Sequence, residues 1–175
     1  MIESIIHGKK IYVHSVEMDA RFALGEIGSK TLAVFGVNPS TATIEKYDTT
    51  ISKVIGYSKA NGFDGWIMFN IYPQRSTDPD GLDRELNIDL HSNNIKTIKQ
   101  AITDYQVRSA LAAWGNLITH RPYFRSILTE IYNELKPADL DWQRIGSLTA
   151  TGHPRHPSRG AYSLPFSSLE SSYFL

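Results

Sequence analysis

Thr31-Leu32-Ala33-Val34-Phe35-Gly36-Val37-Asn38-Pro39-Ser40 is the stretch that decides the fold. Residues 31–37 form a near-continuous apolar run, the signature of a central parallel strand covered on both faces. The run ends abruptly in an Asn and a Pro, so the strand delivers a polar turn from its carboxyl end. In open α/β sheets ligands bind at that end.

Three similar runs lie downstream. Gly65 to Ile71 reads as a second buried strand, broken at Pro73 and followed by a long loop over residues 72–81. Arg108 to Trp114 reads as a third, closed by Gly115, and residues 142–148 as a fourth. Helical patterns fall between them. Asp48 or Thr49 can cap a helix that Asn61-Gly62 stops. A second helix is expected from about Ser92 to Asp104, with Ile95, Ile98 and Ile102 on one face. A third opens at Arg121-Pro122 and buries Phe124, Ile127, Leu128 and Ile131. Before all of these, residues 2–24 suggest a hairpin turning at His7-Gly8-Lys9-Lys10 and one further strand from Arg21. The tail after residue 152, rich in Ser, Gly and Pro, is expected to be irregular. The expected fold is a three-layer α/β/α sandwich with a four-stranded, mainly parallel sheet and an N-terminal antiparallel addition, formed by residues 1–175 as a single domain.

Composition narrows the function classes. The chain has 175 residues, with 18 Lys plus Arg against 18 Asp plus Glu. This balance argues against a strong, unspecific electrostatic hold on nucleic acid, though a local basic patch is compatible with it. There is no cysteine, so disulfides, thiolate metal sites and a cysteine nucleophile are excluded. No apolar run is long enough to span a bilayer and no basic-then-apolar leader is evident, so a cytoplasmic protein is expected, with no membrane partner.

Residues suited to chemistry gather at the ends of the strand-like runs. Asn38 is not a base, but its amide can orient a water; the alternative is an Asx turn that caps its own backbone. Asn70 ends the second strand, where an amide can pair with a nucleobase edge or simply stop the strand. Gly152-His153-Pro154-Arg155-His156-Pro157-Ser158 is stiffened by its prolines. Such a loop can hold an imidazole against developing negative charge, while Arg155 and Arg159 can take phosphates; the alternative is a solvated, turn-rich tail. The His-x-x-His spacing of His153 and His156 is too weak for a metal site, and neither metal nor cofactor is expected. Arg75 places a further cation on the same rim. A helix cap is the expected role of Asp48, and core packing that of Trp114.

Taken in order, the four strand ends resemble the uracil-DNA glycosylase superfamily. Gly36-Val37-Asn38-Pro39 is similar to its first motif, Asn70 to the Asn that reads a pyrimidine edge, Trp114-Gly115 to the end of its third strand, and His156-Pro157-Ser158 to its last motif. The whole chain more closely resembles an uncharacterised bacterial and phage family, domain of unknown function 1643. That resemblance is carried by Asn38-Pro39-Ser40-Thr41-Ala42, Asp48-Thr49-Thr50, Asn70-Ile71-Tyr72-Pro73-Gln74-Arg75, Ala113-Trp114-Gly115 and Gly152 to Pro157. The glycosylase resemblance implies hydrolysis of an N-glycosidic bond in nucleic acid or a nucleotide, and a role in DNA repair. Asn38 would orient the water and His156, or else His153, would stabilise the departing base. Asn70 would read the base, while Ser40, Ser158, Arg75, Arg155 and Arg159 would contact substrate. One departure matters: the glycosylases follow His-Pro-Ser with Pro-Leu, whose Leu wedges into the duplex. Here Arg159-Gly160 stands instead, and Tyr162 or Leu164 would have to substitute. A non-catalytic module that binds nucleotide or single-stranded nucleic acid, or a protein-interaction domain, are the alternatives.

Overall fold

In the computed structural model, which describes residues 1–175, eight strands join into one sheet in the order β1-β2-β3-β5-β4-β6-β7-β8. These are β1 (Ile2–His7), β2 (Lys10–Ser15), β3 (Arg21–Glu26), β4 (Thr31–Gly36), β5 (Gly65–Asn70), β6 (Ser109–Ala112), β7 (Asp141–Ile145) and β8 (Phe166–Ser168). Three helices, α1 (Thr49–Ala60), α2 (Ile88–Asp104) and α3 (Phe124–Leu135), connect the middle strands. The fold is therefore mixed α/β.

The sheet corrects the expected four-stranded, mainly parallel one. β5, β4, β6 and β7 are parallel neighbours, but they are flanked by antiparallel pairs on both sides, so four of the seven pairings are antiparallel. Two physical reasons account for the difference. β3 docks directly on β5 because Gly25 carries no side chain: a Cβ there would stand 2.4 Å from the Trp66 carbonyl oxygen. At the other edge, only three residues, Phe166–Ser168, leave the irregular tail to pair with β7. A segment so short has no readable period.

Central position explains the apolar runs. Every residue of β4 and β5 is buried, whereas every residue of the edge strand β1 is exposed. Alternate residues of β4 and β5 feed two cores. Leu32, Val34, Trp66 and Met68 pack with Ile51, Val54 and Tyr57 of α1. Ala33, Phe35, Ile67 and Phe69 pack with residues of α2 and α3. The chain end joins the second core, where Phe174 stacks on Tyr132 at 4.1 Å and Trp142 lies beside it. The tail is thus more ordered than its composition suggests.

Helix starts are set by specific side chains. Asp48 caps α1 by accepting from the Ile51 N–H at 2.9 Å, as expected. α2 starts earlier than expected, at Ile88, because Asn87 caps it through the Leu90 N–H; the exposed Ile88 hides the amphipathic signal there. α3 starts at Phe124, not at Arg121-Pro122. Arg121 instead reaches back to the carbonyls of Leu82, Asp80 and Asp83 at 2.8, 2.9 and 3.1 Å, fastening the loop after β5 to the rim of the sheet. No helix is long and apolar enough to cross a membrane.

Candidate functional site

Parallel strands place the carboxyl ends of β4, β5, β6 and β7 on one rim, and the loops leaving them enclose two adjoining spaces. The inner cavity, of about 160 Å³, is walled by β4's exit (Gly36 to Asn38), the start of α1 (Asp48, Thr50) and the loop after β5. Trp114 and His156 close it. Outside lies a wider cleft that shares Trp114, Leu117 and His156 with it and is lined by Arg155, Ser158 and Arg159. No carboxylate lines this outer cleft.

Asn38 is held by its nitrogen. Its Nδ2 donates to the carbonyls of Ser76 at 2.9 Å and Pro39 at 3.1 Å. Two carbonyls can only accept, so the amide orientation is fixed and Oδ1 is the free end, an acceptor on the cavity wall. Ser40 lines the same cavity.

His156 caps a short turn, Pro157–Arg159, with Nδ1 facing the Ser158 N–H at 3.3 Å and the Ser158 hydroxyl at 2.8 Å. The backbone N–H can only donate, so Nδ1 accepts and the proton of the neutral ring sits on Nε2. Burial, and then the Arg159 charge, push the imidazole below its ordinary range, with Asp48 opposing them. His156 is therefore a neutral N–H donor at the junction of the two spaces. Gly115 supports it from behind, at φ +62°, where an added Cβ would lie 3.1 Å from the His156 Cβ. Gly115→Ala should therefore cost about 1–2 kcal/mol in backbone strain and displace the imidazole. A shift of the His156 ring resonances in NMR spectra checks this; unchanged resonances would show that the contact does not set the ring's place.

Asn70 stands one layer behind. Its side chain is fully buried and neither amide atom has a partner. Oδ1 lies 2.9 Å from where a Cβ on Gly36 would be, so only a glycine in the cavity wall leaves room for it. Asn38 and His156 thus meet in one cavity, with Asn70 pressed against its wall rather than forming it.

Other expected residues sit elsewhere. His153 lines neither space; its Nδ1 bonds the Tyr173 hydroxyl, which also accepts from the Trp114 indole N–H, each at 3.0 Å. Arg75 is occupied with the carbonyls of Ser40 and Ala42 and the Tyr12 hydroxyl, so it braces the 40–42 loop. Arg155 leans on Ser147 at 2.9 Å yet still lines the outer cleft. Neither replacement wedge lines either space: Tyr162, partly exposed, packs on Gly56 and Tyr57 of α1, and Leu164 on Gly146. No three His, Cys, Asp or Glu side chains gather so as to hold a metal ion.

Two charged residues of the cavity are not among the expected site residues. Arg21 looked like the first residue of a strand, but it is 2% exposed and lines the cavity. A lone Arg heading the apolar run Phe22-Ala23-Leu24 was the available signal. Asp48 is expected only as a cap. It caps through Oδ1, lines the cavity as well, and leaves Oδ2 without a partner.

The profile of a family described as "Protein of unknown function (DUF1643)" matches residues 21–158. That span begins at Arg21, ends at Ser158 and includes every residue of the inner cavity, while β1, β2 and β8 fall outside it. No curated protein and no solved structure matches the chain.

Proposed function

Because the chain belongs to the DUF1643 family, whose description assigns no activity, the reading rests on the site itself, and we propose a glycosylase-like hydrolase of an N-glycosidic bond in nucleic acid or a nucleotide. The proposal takes the four parallel strands and the helices on either side of them as a three-layer, uracil-DNA glycosylase-like platform. One observation carries it: an amide oxygen free to accept, on Asn38, and an imidazole N–H free to donate, on His156, line the same cavity.

In this mechanism a water donates a hydrogen bond to Asn38 Oδ1, keeping that hydrogen as the hydroxyl of the product, and is aimed at the anomeric carbon. The C–N bond breaks with its electron pair moving to the base nitrogen, and a C–O bond forms from the water. The water's second proton passes to the unpartnered oxygen of Asp48 and on to solvent. His156 Nε2–H meets the negative charge that develops on the departing base. Arg155 and Arg159 hold the flanking phosphate in the outer cleft. With Tyr162 and Leu164 outside both spaces, neither is placed to replace a flipped base in the stack. The favoured substrate is therefore an unpaired base or a free nucleotide. Neutral net charge fits weak, salt-sensitive binding to polymers.

The test is base release, followed by chromatography, from uracil-, hypoxanthine- and alkylated-base substrates offered as free nucleotide, single strand and duplex. Release from the first two forms supports the proposal. Binding in the outer cleft without release of any base would replace it with a nucleotide-binding module.

The state of His156 sets the pH dependence. Protonation would place a hydrogen on Nδ1, which must accept from the Ser158 N–H to hold the ring in place, so the neutral ring is the working form; burial lowers its pKa, and activity should be flat through neutrality and fall only below about pH 6.5, the ordinary histidine value. Stability follows the same sign. The unfolded chain binds the proton more readily, so stability declines as pH drops from about 6.5 towards the folded value. A pH–rate profile of single-turnover base release checks this. An acidic limb above 6.5 would contradict the assignment.

A further inference from the structure

We propose that the floor of the inner cavity is an anion seat, formed by Arg21 and the first turn of α1, and that it receives the base as it departs with negative charge. The seat is argued from the cavity alone; its assignment to the departing base rests on the glycosidic reading above.

Arg21 is the first observation. Its guanidinium is almost wholly buried, has no carboxylate within ion-pairing distance, and makes one hydrogen bond, from Nη1 to the Ala42 carbonyl at 3.1 Å. Nε has no partner at all. Its near neighbours are Arg75, of like charge, and, more weakly felt, Asp48 and the Tyr12 hydroxyl. Burial and Arg75 together bring its pKa down to about 10, so it remains a cation at neutral pH. A buried cation without a counter-ion is costly unless an anion joins it.

The second observation is α1 itself, twelve residues long, whose first turn opens into the same cavity at Thr50. The cap takes only the Ile51 N–H, so other first-turn N–H groups have no intrahelical partner, and the positive end of the helix stands at the cavity. An anionic oxo-substituted ring would meet the Arg21 cation at one edge and the His156 N–H at another. Asp48 is the one opposing charge in the cavity; in the mechanism above it takes the water's proton and is not a partner for the anion.

The same seat would also suit a phosphate, and the experiment separates the two. Isothermal titration at pH 8 compares 5-nitrouracil, an anion there, with uracil, which is mostly neutral, and separately with inorganic phosphate. The wild-type chain should bind 5-nitrouracil about 10-fold or more tightly than uracil. Arg21→Met should lose that preference, and Arg21→Lys should keep part of it. Phosphate binding that depends on Arg21, with no preference for the anionic base, would retain the seat and overturn its assignment to the base. No anion binding at all, or a preference unchanged in Arg21→Met, would overturn the seat. Thermal unfolding guards against a merely structural role. Removing an uncompensated buried charge should leave the melting temperature of Arg21→Met unchanged or raised; a fall of more than about 5 °C would assign Arg21 to the fold instead. Turnover plays no part in these measurements, so failure of the seat and failure of the hydrolase reading are told apart.

Discussion

Asn38→Ala should abolish base release, lowering the single-turnover rate by about 10³-fold or more, the scale of losing an oriented nucleophile. The effect falls on rate because the side chain acts on water and not on the substrate's ground state. Equilibrium binding should therefore be nearly unchanged. Folding should suffer only modestly. Two bonds, to the Ser76 and Pro39 carbonyls, are lost in a half-buried site, each worth about 0.5–1.5 kcal/mol. The informative companion is Asn38→Asp. In many active sites a carboxylate would be the better base. Here it would face two carbonyl oxygens that now accept from Nδ2, a clash of acceptors that turns the group away or keeps it protonated. Asn38→Asp should thus rescue little of the rate. If the Ala variant retained wild-type turnover, the water-positioning role would be lost, and with it the mechanism. If the Asp variant were faster than wild type, the orientation inferred for the amide would be wrong.

Why Asn38 was legible and Arg21 was not follows from how each is placed. Asn38 follows a seven-residue apolar run directly, so the strand, its carboxyl end and the polar turn could all be read from one window. The same logic found Asn70, Trp114-Gly115 and the Gly152–Ser158 loop, because a buried parallel strand announces its end by the sudden change in polarity. Arg21 heads a strand from the opposite, antiparallel side, and only the docking of β3 on β5 carries it to the rim. That docking depends on Gly25 fitting against the Trp66 carbonyl, a contact across about forty residues with no local signature. The two histidines show the other limit. His153 and His156 share one stiff segment, and sequence spacing cannot say which faces the cavity. The choice is made by distant partners: Tyr173 draws His153 away, while Gly115 leaves room for His156. Edge strand β8 was invisible for a simpler reason, since three residues pair there only because Ile145 and Gln143 present a free edge.

His156→Ala should lower the rate by about 10²–10³-fold, the usual loss when one donor to a developing anion is removed. The deficit should depend on the leaving group. A base that departs easily, such as a 5-fluoro- or 5-nitro-substituted uracil, needs less help, so the loss should shrink as the acidity of the base rises. This readout separates charge stabilisation from mere support of the loop, which would cost every substrate equally. His156→Gln should recover part of the rate, because its amide N–H can donate towards the same space, and unlike the histidine it should show no acidic limb. Deleting His156 and Arg21 together should cost less than the product of the separate losses, since both act on one anion in one cavity. Fully multiplicative effects would place the two groups on different charges. A deficit independent of the leaving base would reduce His156 to a cap on the 157–159 turn, and the negative charge of the departing base would then have to be met elsewhere.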